Sequence, residues 1–347
     1  ASDVYKRQAL SLTNMGFKAK SYSGHQVKIE TDKGITGWGE AFGYTSWKAV
    51  KIAIEEMVAP LLVGKDMSNM PELLLTLQKS LHLFGRYGIT MFAISGVEIA
   101  LWDALGKEKN KPIHELLGKK NKDLFKTYSS LFRYGDPKII EQKCKQSLDD
   151  GYQAIKLHEI ENDCIEAGRK GTGHLPLMLD TNCPWTYEET MAKKDFLKSM
   201  KLTWLEEPIY PPEDYETLAK LNKELGIPIA CGENACTEFE FKSMIKQKAV
   251  TFVQPSVIKV GGIYEMFKII QHAEKNNISV MPHTAYFGPG FLATLQLASL
   301  MEKDTYIERF YLDIDQEFYP NFKRALNGKY KLPSGPGLGI DLSLIHI

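Results

Sequence analysis

The sequence predicts an α/β protein, a parallel barrel of eight strands preceded by a separate α+β domain. Short apolar segments of strand character alternate with helical patterns from about residue 124 to residue 311. Three segments end in a carboxylate, Asp180, Glu206 and Glu233, at steps of 26 and 27 residues. About 25 residues is the length of one strand, one helix and two short loops. Such regular alternation is typical of a parallel α/β barrel.

The amino-terminal part of the chain has a different pattern, in which two β-strands precede several helices. SGHQVKIETDKGITGWGEAFG reads as two strands joined by a turn at DKG. Helical patterns follow at Ser46–Leu62, Met70–Leu83 and Thr90–Gly106. KPIHELLGKK then ends the unit near residue 120. Residues 1–120 are therefore predicted to form an α+β domain that packs against the barrel.

The barrel is predicted over residues 121–320, followed by a return segment, 321–347, in which YKLPSGPGLGID folds back as a loop. Its strands are predicted at Leu124–Phe132, Ala154–Glu159, Pro176–Asn182, Thr203–Pro208, Pro228–Asn234, Thr251–Val257, Ser279–His283 and Tyr306–Tyr311. The helices predicted between them include Pro137–Asp150, Tyr187–Met200, Pro212–Leu225, Gly262–Lys275 and Phe291–Met301.

Both ends of the chain resemble translated sequencing-adapter sequence. ASDVYKRQ at the start and LSLIHI at the end are therefore set aside in predicting the fold, as an expression scar would be. We expect residues 1–8 and 342–347 not to be native, and we expect the natural protein to begin earlier, with an opening strand that this sequence has lost.

Composition and charge indicate a soluble, cytoplasmic enzyme that acts on a small molecule. Lys+Arg and Asp+Glu are both 43, so no charge excess points to nucleic acid or to an anionic membrane. No uninterrupted apolar run approaches the ~18 residues of a membrane span. The five cysteines form no CxxC pair and are expected to be reduced.

The three strand-end carboxylates predict a metal site. Because parallel strands end at one rim of a barrel, Asp180, Glu206 and Glu233 would lie side by side. They would repel one another unless a cation sat between them. All-oxygen ligation suits a hard ion, for which Mg²⁺ is the usual choice. Glu207 is the alternative to Glu206, but strand alternation turns it away from the face of Glu206.

Other strand ends add polar side chains at the same rim, where barrel enzymes build their active sites. Alternation directs Lys156 and His158 to one face of the second barrel strand, towards the barrel mouth. The remaining strand ends contribute Asn182, Ser256, His283 and Glu308. A ring of this composition around a divalent ion is suited to holding a carboxylate substrate and removing the proton next to it.

The expected chemistry follows from the weak acidity of a C–H bond beside a carboxylate. Its deprotonation places a second negative charge on the carboxylate oxygens, and a divalent cation bound to those oxygens stabilises the enediolate. A Lys or His near the cation is biased towards its neutral form, which can accept the proton. A protonated Glu308 could donate a hydrogen bond to the opposite oxygen if burial raised its pKa.

From Ala9 to Asp341 the chain resembles the enolase superfamily, nearest the mandelate racemase/muconate lactonizing enzyme group. The resemblance lies in the order and spacing of VKIETDKGITGWGEA, AISGVEIALWDALGKEKNKPIHELLG, AIKLHE, LMLDTN, WLEEP, GEN, IKVGG and PGLGI. It implies a capping domain over a (β/α)7β barrel, a Lys or His base, and Mg²⁺ bound by the three carboxylates. It also implies substrate contacts for Asn182 and Glu308, a specificity lid from the opening loop and the loop near Phe42–Ser46, and a homo-oligomer.

The chain departs from this family at two acid–base positions. His158 stands where the family usually has the second lysine of Lys-x-Lys, so Lys156 would tune it by charge. Ser256 stands where relatives have an Asp that orients the strand-seven histidine, or a Lys base. His283 is therefore expected to be oriented by Ser256, by water or by another residue. Lys259 lies three residues further on, in a predicted turn.

These departures favour elimination over racemisation. Lys156, His158 and His283 are predicted to be catalytic, with His158 as base and His283 as acid, and Asn182, Glu308 and Ser256 are predicted to bind substrate. The predicted reaction is Mg²⁺-dependent dehydration of a sugar acid to a 2-keto-3-deoxy product. The alternatives are a racemase, epimerase or cycloisomerase of a related carboxylate or lactone, and a barrel that binds a carboxylate without turnover.

Overall fold

The structure is a computed structural model that describes residues 5–10, 22–312, 319, 325 and 327–341, with side chains from Gln26 onwards. Strand Tyr5–Leu10 includes part of the segment 1–8, whose non-native origin stays a prediction. The segment 342–347, expected not to be native, lies outside the described residues.

The amino-terminal domain is a three-stranded antiparallel sheet followed by helices. Its strands are β1 (Tyr5–Leu10), β2 (Tyr22–Glu30) and β3 (Thr36–Ala41), in that spatial order. Its helices are α1 (Trp47–Ile52), a π-helical stretch (Ala53–Val58), α2 (Ala59–Leu62), α3 (Met70–Ser80), α4 (Gly88–Glu108) and α5 (Ile113–Leu117), with single 3₁₀ turns at Tyr44–Ser46 and His82–Phe84. The predicted hairpin is confirmed: Gly34, with a φ of +73°, closes the turn between β2 and β3.

The second domain is a curled parallel sheet of eight strands, as predicted. They are β4 (Leu124–Ser130), β5 (Ile155–Leu157), β6 (Leu177–Asp180), β7 (Trp204–Glu206), β8 (Ile229–Cys231), β9 (Phe252–Val253), β10 (Ser279–Val280) and β11 (Tyr306–Phe310). They pair in the order β10-β9-β8-β7-β6-β5-β4-β11. Side chains join the two ends of this order, since Thr305 Oγ1 donates to Val280 O at 2.8 Å and the Thr284 amide to Glu308 Oε2 at 3.1 Å. A short strand, β12 (Lys329–Lys331), pairs antiparallel with β4 where the return segment was expected to be loop.

Helices alternate with these strands. They are α6 (Pro137–Asp149), α7 (Asn162–Thr172), α8 (Tyr187–Ala192), α9 (Lys194–Ser199), α10 (Tyr215–Glu224), α11 (Glu238–Lys246), α12 (Ile263–Lys275) and α13 (Pro289–Ala298). The single helix predicted at Tyr187–Met200 is therefore wrong, because the chain breaks into two at Lys193. The predicted start of α10 at Pro212 is also wrong, because the Asp214 carboxylate accepts the Thr217 amide at 3.0 Å and caps the helix there.

Helix α4 is the core element that joins the two domains. Gly39 of β3 lies so close to it that an added Cβ would stand 1.9 Å from Gly96 O, which accounts for the glycines of the GWGEA motif. By length and hydropathy α4 meets the criteria for a membrane span, although Glu98 and Asp103 interrupt its apolar sequence. Because 83% of its apolar window is buried inside the protein, we identify it as the core helix.

Three buried carboxylates of the first domain accept backbone amides from the rest of the chain. Glu98 of α4 accepts the first two amides of α12 at 2.6 and 2.8 Å. Glu40 of β3 accepts the Gly290 amide of α13 at 2.9 Å. Asp103 of α4 accepts the Leu338 amide at 2.9 Å. Glu98 and Glu40 accept early amides of α12 and α13, which have no partner within their own helices, and the three contacts hold the first domain over the carboxyl ends of the barrel strands.

We expect Glu98→Gln to destabilise the fold most at acidic pH. The amide nitrogen of the introduced glutamine must face one of the backbone N–H groups that the Glu98 carboxylate accepts. That leaves an unpaired donor in the interior, at a cost of ~1–3 kcal/mol. Burial, offset in part by the two α12 amides, raises the pKa of Glu98 to about 8. The folded wild type therefore keeps a proton that the unfolded chain releases, and its stability falls as pH rises from about 4.5 to about 8.

Denaturant unfolding at pH 5 and pH 8 measures this effect. The stability difference between wild type and Glu98→Gln should narrow at pH 8. Glu108→Gln, which removes a surface ion pair with Lys33 at the exposed end of the same helix, is the matched control and should give only a small difference in stability. A pH-independent difference for Glu98→Gln would contradict the expectation.

Candidate active site

The three carboxylates predicted from strand spacing meet at the rim of the barrel. Asp180 ends β6 and Glu206 ends β7, and the two residues pair directly in the sheet register. Glu233 lies two residues beyond β8. One ligand atom from each lies within 4.8 Å of the others, and Asp180 and Glu206 are buried.

Left-handed backbone conformations turn the chain sharply at each of these strand ends. Asn182, two residues after Asp180, has a φ of +57°, and Glu207, directly after Glu206, has a φ of +46°. Gly232, just before Glu233, has a φ of +136°, and an added Cβ there would stand 2.9 Å from the Gln254 amide. Non-glycine residues adopt this region at a cost, which is commonly found at functional sites.

Glu207 lies outside the cluster and accepts hydrogen bonds from the loops that follow the two neighbouring strands. Its Oε1 accepts the Gly232 amide at 3.1 Å, and its Oε2 accepts the Cys183 thiol at 3.3 Å. Burial raises the pKa of Glu207 to about 8, with the charge of Glu233 adding to the effect. The Glu207 side chain thus links the loop that follows Asp180 at the end of β6 to the loop after β8, which carries Glu233.

Lys156 lies at the centre of the buried charges. Its Nζ is 2.8 Å from Glu206 Oε1, 2.9 Å from Glu308 Oε1 and 3.4 Å from Asp180 Oδ2. Burial opposes the charged form, but these carboxylates raise the pKa of Lys156 well above its ordinary value. Lys156 therefore has three carboxylate neighbours in this arrangement, and the expected bias of a lysine towards its neutral form, which concerns a site with a bound cation, stays a prediction.

Glu308 lies beside Lys156 in this arrangement. Burial would raise its pKa, but Lys156 and His283 lower it below the ordinary value. A carboxylate in this state accepts hydrogen bonds, as it does from the Thr284 amide. Lys156 Nζ lies 2.9 Å from Glu308 Oε1. The expected donation by a protonated Glu308 concerns a site with bound cation and substrate and stays a prediction.

His158 lies just past the end of β5, on the same face as Lys156. Its Nδ1 is 2.5 Å from Leu131 O, which can only accept, so Nδ1 carries the hydrogen. Nε2 is therefore the nitrogen that can take up or release a proton, and it lies 3.2 Å from Asp180 Oδ2. Burial opposes protonation of His158, but the negative charge of Asp180 outweighs it and raises the pKa.

His283 lies on the other side of the carboxylates, beyond β10. Its Nε2 is 2.9 Å from Glu233 Oε2. Its Nδ1 is buried and makes no hydrogen bond among the described residues, and the buried Ser256 hydroxyl likewise makes none. Orientation of His283 by Ser256 is therefore not found in this arrangement. Glu233, which the sequence predicted only as a metal ligand, orients the ring from the opposite nitrogen.

A cavity of ≈ 540 Å³ opens beside these residues. The predicted residues His158, Asn182, Glu233 and His283 line it. The first domain adds an aromatic wall from Phe42, Tyr44, Tyr87 and Phe92, consistent with the predicted lid near Phe42–Ser46. The opening loop of the predicted lid falls within residues 11–21, outside the described residues.

Two cations that the sequence reasoning did not assign also line the cavity. Arg133 donates to His158 O at 2.5 Å and to Thr181 O at 3.0 Å, so it ties together the ends of the second and third barrel strands. Lys259 lies in the turn after β9 and is 7% exposed. Its place in a predicted turn, three residues after Ser256, does not reveal on which side of that turn the lysine is buried.

The carboxylate cluster fits a small, hard divalent cation. Asp180 Oδ2 is buried and accepts no hydrogen bond of good geometry among the described residues. Burial would raise the pKa of Glu233, but His283 and Lys259 lower it to about 2. Burial raises the pKa of Glu206 to about 7, against the opposing charge of Lys156. Three carboxylates that lie this close need positive charge between them, and their donor set is all oxygen.

Comparison with protein families matches both parts of the chain. Residues 11–118 match the amino-terminal domain of the mandelate racemase / muconate lactonizing enzyme family. Residues 140–344 match the enolase carboxy-terminal domain-like family.

Individual relatives match along almost the whole length. Arabinonate dehydratase of Saccharolobus solfataricus is 32% identical over 91% of this chain and 87% of its own. D-galactarolactone cycloisomerase of Agrobacterium fabrum is 28% identical over 91% of this chain and 88% of its own. The crystal structure of the 3,6-anhydro-D-galactonate cycloisomerase from Zobellia galactanivorans superposes with a TM-score of 0.86, at 26% identity and 99% and 98% coverage. The chain therefore belongs to the mandelate racemase/muconate lactonizing enzyme group of the enolase superfamily.

Proposed function

We propose that this protein is a Mg²⁺-dependent dehydratase that converts a sugar acid to a 2-keto-3-deoxy acid. The observation that supports it most directly is the placement of two histidines on the two flanks of one carboxylate cluster. His158 Nε2 lies 3.2 Å from Asp180, and His283 Nε2 lies 2.9 Å from Glu233. The site thus offers one proton-transferring group on each side of a bound substrate.

Asp180, Glu206 and Glu233 would hold the Mg²⁺. When bound, the ion supplies positive charge that makes the proton beside a carboxylate more acidic. Lys156 adds a second, fixed positive charge in the buried floor of the site, where electrostatic interactions are stronger than in water.

In the proposed reaction, His158 Nε2 removes the proton from the carbon next to the carboxylate. The Leu131 carbonyl holds the other nitrogen as a donor, so the ring presents the correct nitrogen to the substrate. His283, whose Nε2 lies 2.9 Å from Glu233 Oε2, gives a proton to the hydroxyl on the next carbon. The C–O bond breaks, water leaves, and the resulting enol becomes the 2-keto acid. Asn182, Ser256 and Glu308 stay predicted substrate-binding residues.

The names of the relatives favour a sugar-acid substrate. Arabinonate dehydratase and the D-xylonate dehydratase of Haloferax volcanii, 28% identical over 92% of this chain, are named for dehydration of such acids. The second candidate is a cycloisomerase, which the galactarolactone relative favours. The same proton abstraction would then open or close a lactone without loss of water.

A screen of sugar acids and their lactones with Mg²⁺ tests the proposal. Wild type should convert at least one acid to a 2-keto acid, and excess EDTA should reduce the rate to background until Mg²⁺ is restored. Formation of a 2-keto acid from a lactone, but not from the corresponding open-chain acid, would identify the cycloisomerase instead. If the Mg²⁺-bound protein converts none of the screened acids or lactones, both the dehydratase and the cycloisomerase are contradicted. The alternative that remains is a barrel that binds a carboxylate without turnover.

A further inference from the structure

Lys259 carries a buried charge that the proposed reaction does not use. The residue is 7% exposed and lines the cavity. Its Nζ makes no hydrogen bond or ion pair within the described part of the chain, and its contact there is with the ring of Phe42, 4.7 Å from the centroid. Most of the side chain is buried, and the ammonium donors, which have no acceptor among the described residues, are available to a molecule in the cavity.

The place of Lys259 in the fold shows which part of the cavity its ammonium reaches. Its turn follows β9, and the Ile258 carbonyl in that turn accepts the Phe42 amide of the first domain at 3.4 Å. Lys259 lines the same cavity as Glu233, Cys236 and His283. The ammonium thus lies where the first domain meets the barrel, on the side that carries His283, away from the floor that Lys156 occupies.

The surroundings of Lys259 suit the hydroxylated part of a substrate. Phe42 packs edge-to-face on Phe92, with ring centroids 4.9 Å apart, and lies 5.3 Å from Tyr44. Apolar ring faces with a few polar groups are typical of small-molecule pockets. An ammonium beside these rings can donate to hydroxyl oxygens of a chain that extends beyond the reacting carbons.

We propose that Lys259 is a substrate-binding residue that recognises the hydroxylated tail of a sugar acid, beyond the two carbons that react. This inference rests on the proposed function, because it takes the substrate carboxylate to lie at Asp180, Glu206 and Glu233. It makes Lys259 and Phe42 a subsite that selects long hydroxylated acids over short ones.

Equilibrium binding with Mg²⁺ tests the subsite. The measurements use a His158→Asn/His283→Asn background, in which proton transfer is blocked and ligands stay intact. The probes are D-galactonate, D-xylonate and D-arabinonate, which carry a hydroxylated tail, and lactate, which has none. Lys259→Met should weaken binding of at least one sugar acid by about tenfold or more, the loss expected for hydrogen bonds from a charged donor. Lactate binding should change less than about twofold.

Two control variants separate recognition from general charge or packing effects. Lys259→Arg, which keeps the charge and the donors, should retain part of the selectivity. Lys246→Met removes an exposed lysine from α11 and should leave the binding of both the sugar acids and lactate unchanged. The proposal is overturned if Lys259→Met binds all ligands as the background does, if sugar acids and lactate weaken equally, or if no ligand binds the background protein.

Two further measurements separate the remaining explanations. Mg²⁺ affinity, measured with the metal alone, should not fall in Lys259→Met; a fall that matches the loss of ligand binding would assign Lys259 to the metal site and overturn the proposal. A Lys259-dependent preference for galactarate over galactonate would show that Lys259 binds a second carboxylate, and this result would also overturn the proposal.

If wild type dehydrates none of the acids but Lys259→Met loses the tail selectivity, only the proposed function fails. If wild type dehydrates an acid that Lys259→Met binds normally, only the subsite fails.

Discussion

Glu206→Gln is expected to abolish Mg²⁺-dependent turnover while the fold stays intact. Glu206 is the buried central member of the carboxylate cluster and is also bound by Lys156 at 2.8 Å and by the Trp204 indole at 2.8 Å. An amide keeps the shape but loses the negative charge that holds the cation. A metal ion contributes several kcal/mol to such a reaction, and each 1.36 kcal/mol is tenfold in rate, so kcat/KM should fall by roughly a thousandfold or more.

Thermal unfolding with and without Mg²⁺ separates loss of metal from loss of fold. The unfolding temperature of wild type should rise with Mg²⁺ concentration, because an ion that binds only the folded protein stabilises it by RT ln(1 + [Mg²⁺]/Kd), and Glu206→Gln should show little of that shift. In EDTA the variant should still unfold in one cooperative transition, at a somewhat lower temperature than wild type, because its amide nitrogen must face one of two donors, the Lys156 ammonium or the Trp204 indole. Glu207→Gln, one residue away but outside the cluster, should keep the Mg²⁺ response. Full activity in Glu206→Gln would exclude Glu206 as a ligand.

His158→Asn is expected to stop removal of the α-proton from one face of the substrate. The asparagine amide can still donate to the Leu131 carbonyl, but no atom replaces Nε2 as a base. General bases contribute about 100- to 10,000-fold, and kcat should fall by a factor in that range. The measurement is exchange of the α-proton with D₂O, followed by ¹H NMR on a substrate found in the screen.

His283→Asn is the partner experiment. If His283 acts as the acid that assists the leaving hydroxyl, this variant should lose dehydration but still exchange the α-proton. If both variants lose exchange equally, the two histidines do not have separate roles. Unchanged exchange in His158→Asn would require the base to lie elsewhere in the site.

The positions of the metal ligands could be predicted from the sequence because a parallel barrel repeats one local pattern. Each strand begins within a residue of its predicted start, and Asp180 and Glu206 are the last residues of β6 and β7. The predicted strand ends were too long, since the chain leaves the sheet early to form the rim. His283 and Ser256 lie on that irregular backbone, beyond the last paired residues of β10 and β9.

The states and partners of the site residues could not be predicted, because they depend on contacts between distant segments. Three carboxylates from different strands surround Lys156 and raise its pKa, and the contact with Lys156 lowers the pKa of Glu308. Glu98 holds the start of α12 from 165 residues away, at a distance of 2.6 Å. Alternation shows the face on which a residue lies, but the partner across the site depends on the packed fold.

The central claim is that this protein uses bound Mg²⁺ and His158 to remove a proton beside a carboxylate and then expels water. ¹H NMR of sugar acids in D₂O, with wild type and Mg²⁺, tests it most directly. The expected result is loss of the α-proton signal, growth of a 2-keto-3-deoxy product that carries deuterium at C3, and neither change in EDTA. A protein that binds Mg²⁺ and these acids but leaves every α-proton in place would contradict it.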